Sequence, residues 1–251
     1  MALSLQYDEA KVVADYFAKH PRTGVMIDVG AHFGTSFRGY LNQGWRIIAF
    51  EPDSTKLEKL KPYLAHPNLT FYPAAVGDKP SEGVQFYTSP ESTGIASLVP
   101  FRESHTPSER VPVVTLRDEL AKLGIPSIDY LKIDTEGYDH QVLLGHDWNV
   151  LPEVVMCEFD EIKTRPQHFD YRKLGDLLLS HGYIVYCSQW APLIQYGSGH
   201  AWHSIAAYPC ELHHADAWGN FIAIRSDAHP DTMEAIIEPH FVPPPGTPGD
   251  G

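Results

Sequence analysis

The sequence predicts an α/β fold, a parallel sheet with helices on both faces, from three observations. Short apolar runs recur along the chain, as at residues 25–29, 47–50 and 154–159, and runs of this length suit strands buried on both faces. Stretches with apolar residues at helical spacing separate them, and such alternation means parallel pairing through helical crossovers. Several runs also end on an acid beside a glycine turn, as at Asp28-Val29-Gly30 and Asp134-Thr135-Glu136-Gly137. Ligands of open α/β sheets bind at these carboxyl ends.

A chain of 251 residues, 43% of them apolar, suits one large domain with a substantial core. Its net charge of −13 argues against nucleic acid or an anionic membrane surface as the main partner. Cys157, Cys187 and Cys210 have no metal-type spacing. They read as free thiols in a reducing compartment, so a cytoplasmic protein is expected. No long apolar stretch opens the sequence, and neither a signal peptide nor a membrane span is expected.

The leading segment, residues 1–23, carries Ala10, Val13, Ala14 and Phe17 at helical spacing and is read as a helix from 7 to 19. A strand at 25–29 passes through Gly30 and Gly34 into a helix with Phe37, Tyr40 and Leu41 on one side, which Thr35 and Ser36 can cap. A strand at 47–50 precedes a helix over 54–64, and 69–72 is a third short strand. Residues 82–114 form a β-rich excursion: 84–87 alternates like a half-exposed strand, 88–110 reads as a loop, and 111–114 is strand-like again. Thr115 then caps a helix that ends at Gly124. A strand at 128–134, a helix over 140–145, a strand at 154–159, a helix over 170–180 and a strand at 183–187 continue the alternation. Residues 188–220 are an insertion rich in tryptophan and histidine, and 221–224 is the last strand. The main domain thus spans 24–226, followed by a proline-rich tail over 227–251 that reads as unstructured toward its end.

The acid on the first strand narrows the ligand. A pyrophosphate would be repelled by Asp28, whereas a ligand with a positive amino group suits it. S-adenosylmethionine has such a group and a ribose as well. Glu51 lies 21 residues beyond Gly30, the interval at which an acid meets ribose hydroxyls in βαβ units. Gly30, Ala31, His32, Thr35, Ser36, Pro52 and Asp53 flank the two acids and complete the candidate cofactor loops. Ala75 and Val76 run off the third strand, where an adenine ring would lie. A nicotinamide cofactor is disfavoured, because a third glycine is missing and Asp28 is present.

Three motifs carry a family resemblance: Ile27-Asp28-Val29-Gly30-Ala31-His32-Phe33-Gly34, Phe50-Glu51-Pro52-Asp53, and Leu131-Lys132-Ile133-Asp134-Thr135-Glu136-Gly137-Tyr138-Asp139. They resemble the FkbM family of S-adenosylmethionine-dependent methyltransferases over about residues 22–165. Residues 111–118 also look like this family. The resemblance implies a Rossmann-like class I methyltransferase fold, with a mostly parallel sheet of seven strands, the last antiparallel. It also implies that the leading helix covers the cofactor. Members mostly methylate hydroxyl oxygens of sugars or natural-product skeletons. One departure is His32, where the family often has asparagine.

Methyl transfer to an alcohol needs a base at the reacting oxygen. Asp134, Glu136 and His140 are the candidate catalytic residues, and Asp134 also belongs to the cofactor set. Their alternative readings are a helix cap for Glu136 and an exposed helix residue for His140. The same three residues could hold a divalent cation, although no metal is predicted. Glu158, Trp190, His200, Trp202 and His203 are the candidates for binding the acceptor, since aromatic rings stack on sugar faces and imidazoles bond hydroxyls. Equally, Trp202 and Trp218 pack the insertion into the core. The expected activity is O-methylation of a small hydroxylated molecule, and a homo-oligomer is compatible with the sequence. The alternatives are an N-methylating or a non-catalytic protein of the same fold.

Overall fold

The computed structural model describes residues 7–193 and 199–241. In chain order it comprises α1 (Glu9–Lys19), β1 (Val25–Val29), α2 (Thr35–Asn42), β2 (Arg46–Phe50), α3 (Leu57–Leu64), β3 (Leu69–Tyr72) and β4 (Ala75–Val76). There follow β5 (Ser81–Ser89), β6 (Ser92–Ser97), β7 (Thr106–Val114), α4 (Leu116–Leu123), β8 (Ile128–Ile133), α5 (Asp139–Leu144) and β9 (Pro152–Asp160). The last elements are α6 (Glu161–Thr164), α7 (Tyr171–Ser180), β10 (Tyr183–Trp190), β11 (Trp202–Ala207), β12 (Trp218–Arg225) and α8 (Pro230–Ile237).

The main sheet has eight strands in the order β11-β10-β12-β9-β8-β1-β2-β3. Strands β3, β2, β1, β8 and β9 run parallel. Strand β12 lies antiparallel between β9 and β10. This is the Rossmann-like methyltransferase arrangement, with eight strands in place of the expected seven. The additional strand is β11, which pairs antiparallel with β10 at the sheet edge.

Successive residues of each strand feed opposite cores, as a period of two requires. Met26, Ile47, Tyr130 and Val154 face the layer of α1, α2, α3 and α8. Their neighbours Ile27, Ile48, Leu131 and Val155 face the layer of α4, α5 and α7. Helix ends are closed by local polar groups. Asp8 accepts from the Lys11 N–H at 2.9 Å, and Thr115 accepts from the Asp118 N–H at 3.1 Å.

Strands β4, β7, β5 and β6 form a second sheet, in that order. The segment read as a loop over 88–110 therefore contains β6 and the start of β7. Strand β6 has only Thr93 and Ile95 as strand formers among small residues, and it is held by antiparallel pairing with β5.

One further expectation is corrected. Thr35 and Ser36 do not cap α2: its N-cap is Gly34 at φ 77°, and the Ser36 hydroxyl donates to Asp28. The start of the tail, to which the sequence reading gave no element, is helical. Pro230 begins α8, whose Met233 and Ile237 are fully buried, and His229 stacks on His20 of the α1–β1 turn at 4.1 Å. Proline is favoured at a first helical position because that N–H has no partner to lose. The tail beyond 241 lies outside the described residues. Among the described residues no helix is long and apolar enough to cross a membrane.

Gly30 fixes how β1 and β8 meet. It sits at φ 80°, and a β-carbon there would lie 1.9 Å from the Asp134 carbonyl oxygen. Gly30→Ala should therefore cost about 3 kcal/mol or more, from left-handed strain together with the displaced carbonyl. Urea unfolding measures this, and a loss below about 0.5 kcal/mol would contradict the close approach.

Candidate active site

A cavity of about 660 Å³ opens at the carboxyl ends of β1, β2 and β8, within the range of small-molecule sites. Its floor carries Gly30, Ala31, His32, Thr35, Ser36, Glu51, Pro52, Ala75, Val76 and Asp134. Ala10, Lys11 and Ala14 of α1 form one wall. Phe86, Thr93, Gly94, Ala96 and Leu98 of the second sheet form another. Helix α1 and the β-rich excursion therefore both close over the strand ends.

Glu51 is the best-held acid on this floor. Its two carboxylate oxygens accept the N–H groups of His32 at 2.7 Å and Asp53 at 2.9 Å. Each oxygen keeps a lone pair, so two vicinal hydroxyls can be bound side by side, as on a ribose. Burial raises the carboxyl's titration, against the two N–H groups that favour the ionised form. The His32 backbone is left-handed at φ 50°, which turns its N–H onto Glu51. The imidazole is pushed below its ordinary range by burial and by the Lys56 ammonium. It stays neutral near pH 7, and an uncharged residue there agrees with the asparagine common in relatives.

Asp28 does not meet the ligand's ammonium, contrary to expectation. It is fully buried beneath the floor. Its carboxylate lies 3.2 Å from the Lys132 ammonium and accepts from the Ser36 hydroxyl. Lys132 also reaches Asp134 at 3.3 Å and the Gly30 carbonyl at 3.0 Å. Burial alone would depress the lysine, but the two carboxylates outweigh it and hold the ammonium charged. Asp53 is likewise below the floor. It binds Lys56 at 3.0 Å, and Lys56 donates to the Thr93 carbonyl at 2.9 Å, joining β2 to the second sheet.

Of the three candidate catalytic residues, Asp134 and Glu136 reach the cavity. His140 does not: its ring packs on Phe169 at 4.8 Å. The metal set of Asp134, Glu136 and His140 is therefore not assembled. The acid that joins the first two is Glu158, with carboxylate oxygens of the three within 4.8 Å of one another. Glu158 is turned away from the cavity and onto Lys163, which lies 2.9 Å from it and 2.6 Å from Glu136.

The tryptophan–histidine insertion lies apart from the cavity. Trp190 donates its indole N–H to Glu9 of α1 at 2.6 Å, and Trp202 donates to Ser188 at 3.1 Å. The Trp202 ring stacks on Tyr7 at 4.6 Å, while Trp190 and Trp218 stack at 5.3 Å. His200 meets the Trp218 edge, and His203 stacks on His213 at 3.8 Å. These rings anchor α1 to the β10–β11–β12 end of the sheet, and Trp190, His200, Trp202 and His203 do not line the acceptor space. Part of the insertion, residues 194–198, lies outside the described residues.

Sequence reasoning gave no role to Lys132, Lys56, Lys163 or Tyr138, whereas it read the loop with Thr93, Gly94 and Ser97 either as a cover for the cofactor or as an ordinary hairpin connection, and Thr93 and Gly94 do line the cavity. Lys132 had a signal: a lysine inside an apolar strand is rarely buried unless paired. Lys163 had none, since its short helix reads as a solvated turn.

A family model described as methyltransferase FkbM domain matches residues 28–185. No curated protein matches the chain. Among solved structures it is similar to a precorrin-6y C5,15-methyltransferase from Geobacter metallireducens GS-15, at 14% identity and TM-score 0.46, over 90% of this chain and 92% of that one. It is also similar to a magnesium protoporphyrin IX methyltransferase from Synechocystis PCC 6803 solved with bound SAM, at 12% identity and TM-score 0.44, over 86% and 77% of the two chains. A 1,6-didemethyltoxoflavin-N1-methyltransferase from Burkholderia thailandensis gives 12% identity and TM-score 0.40, over 86% and 77%.

The two strand-end acids separate by experiment. Glu51→Gln should weaken S-adenosylhomocysteine binding roughly 10- to 100-fold in calorimetry while the fold is kept, because it removes a charged acceptor. Asp28→Ala should instead cost about 3–5 kcal/mol of stability by leaving Lys132 buried beside an empty site. Equal effects of both variants on affinity alone would return Asp28 to the ligand.

Proposed function

The chain belongs to the FkbM family of S-adenosylmethionine-dependent methyltransferases, and we propose that it methylates a hydroxyl oxygen of a sugar or other hydroxylated small molecule. The fit of the cofactor rests on the turn after β1, where Gly30, Ala31 and His32 line the cavity, and on the paired lone pairs of Glu51. When bound, S-adenosylmethionine supplies an activated methyl group on a positively charged sulfur.

The observation that carries the reading is Glu136, which lines the cavity beside Asp134 and is paired with the buried Lys163. An alcohol oxygen attacks only as its proton leaves. The oxygen then bonds the methyl carbon, the carbon–sulfur pair stays on sulfur, and the proton passes to a base. Glu136 is placed to be that base. Its side chain is 17% exposed and its carboxylate pairs with the Lys163 ammonium, on a backbone that is left-handed at φ 58°. Burial pushes its titration up to about 7, against the pull of Lys163 and with support from Asp134. A base serves best when it titrates near the working pH. Asp134, 47% exposed and tied to Lys132, stays on the cofactor side of the same wall.

The acceptor space lies among Phe86, Ala96, Leu98 and Tyr138, which share the wall with Glu136. These apolar and phenolic surfaces suit a small molecule with a flat or hydrocarbon face.

The test is S-adenosylhomocysteine release across a panel of sugars and hydroxylated natural products. Glu136→Gln should lower kcat by about 10²–10⁴-fold with cofactor affinity unchanged. In the parent enzyme the rate should rise with pH through the neutral range, because the carboxylate must be ionised to accept the proton. Turnover of amines that is indifferent to Glu136→Gln would replace the oxygen acceptor with a nitrogen one.

A further inference from the structure

Beside the cavity, three carboxylates converge on one ammonium. Lys163 lies 2.6 Å from Glu136 in the β8–α5 loop, 2.9 Å from Glu158 on β9 and 3.4 Å from Asp160 at the strand end. Its ammonium also sits over the Phe101 ring of the excursion at 5.6 Å. Its side chain is 5% exposed. The loop is shaped to this lysine. Gly137 follows Glu136 at φ 93°, and a β-carbon on it would lie 2.7 Å from the Lys163 β-carbon. The Ser97 hydroxyl donates to the Glu136 carbonyl at 2.9 Å, fixing the loop from the second sheet.

Carboxylates of Asp134, Glu136 and Glu158 within 4.8 Å of one another match the spacing of oxygen ligands around a divalent cation. Four acids here, counting Asp160, repel one another unless a cation stands among them. We propose that Lys163 is that cation: a built-in positioning residue that takes the place of a divalent ion, holding Glu136 ionised and aimed at the acceptor. The inference rests on reading Glu136 as the base. Among the described residues, the groups facing Lys163 include Glu136, Glu158, Asp160 and Phe101, while Glu136 faces Asp134, Glu158 and Asp160 besides Lys163.

Two acceptor-independent measurements test this. The first is Mn²⁺ binding, followed by calorimetry. The parent protein should show no site at this cluster. Lys163→Ala should gain one, and adding Glu136→Gln should abolish it. The second is the Glu136 carboxyl titration, read by carbon-13 NMR of glutamate-labelled protein and assigned with Glu136→Gln. Lys163→Met should raise it by about 1–3 pH units, the effect of losing an adjacent opposite charge, and Lys163→Arg should restore most of the shift. A lysine that in solution stands away from the three carboxylates would leave both readings unmoved. A folded Lys163→Ala that gains no Mn²⁺ site, with a Glu136 titration unchanged in Lys163→Met, overturns the proposal. So does Mn²⁺ binding by the parent protein that Glu136→Gln removes, a result that needs no lysine variant to fold. S-adenosylhomocysteine affinity, measured alongside, keeps the two readings apart: it should stay within about twofold of the parent in every folded variant, and a protein that never binds it fails the methyltransferase reading instead.

Discussion

The Lys132 ammonium is the interaction on which the cavity floor depends. It stands between Asp28 of β1 and Asp134 at the end of β8, and it caps the Gly30 carbonyl between them. Three groups from two strands and one loop are thus tied to a single point. A buried charge is stable only when its partners are geometrically fixed, so the lysine imposes the register that brings Gly30 under the Asp134 carbonyl. That contact in turn sets where the loop from Ala31 to Gly34 begins. Glu51 is oriented by the His32 N–H of this loop, so the acid on β2 also inherits its position from Lys132.

The central strands were legible because each is buried on both faces and reads as a continuous apolar run. Where burial is one-sided the sequence says less. Trp202-His203-Ser204-Ile205-Ala206-Ala207 has no alternation, and β11 exists because β10 offers an open edge to pair with. Strand β6 is the same case on the second sheet. Helix α8 was hidden by the prolines around it. Met233, Ile236 and Ile237 have helical spacing, and Pro230 serves as the first helical residue.

In the site, the glycine turns and acids were legible as motifs, because one loop must supply those residues in consecutive positions. What they face was not. Asp28 and Glu51 look alike in the sequence, each near the end of an apolar run. They differ because Asp28 has Lys132 as its register partner on β8. That pairing is invisible until two strands 100 residues apart are aligned. The aromatic insertion misled for a similar reason. Trp190 is the register partner of both Trp202 and Trp218, and cross-strand neighbours satisfy one another before any ligand arrives.

Beneath and beside the cavity, the clusters around Lys132 and Lys163 carry more negative than positive charge. Asp28 and Asp134 surround Lys132, while Glu136, Glu158 and Asp160 surround Lys163. In a site of low effective dielectric such an excess draws in a cationic sulfonium. On the proposed route the reaction then removes charge at both ends. The positive sulfur becomes a neutral thioether, and the negative Glu136 becomes a neutral acid. Burial disfavours separated charges, so it favours the step that annihilates them. The desolvation that raises the Glu136 titration thus acts in the same direction as the chemistry. On that route Lys163 limits how far it acts, because the adjacent ammonium pulls Glu136 toward its ionised form.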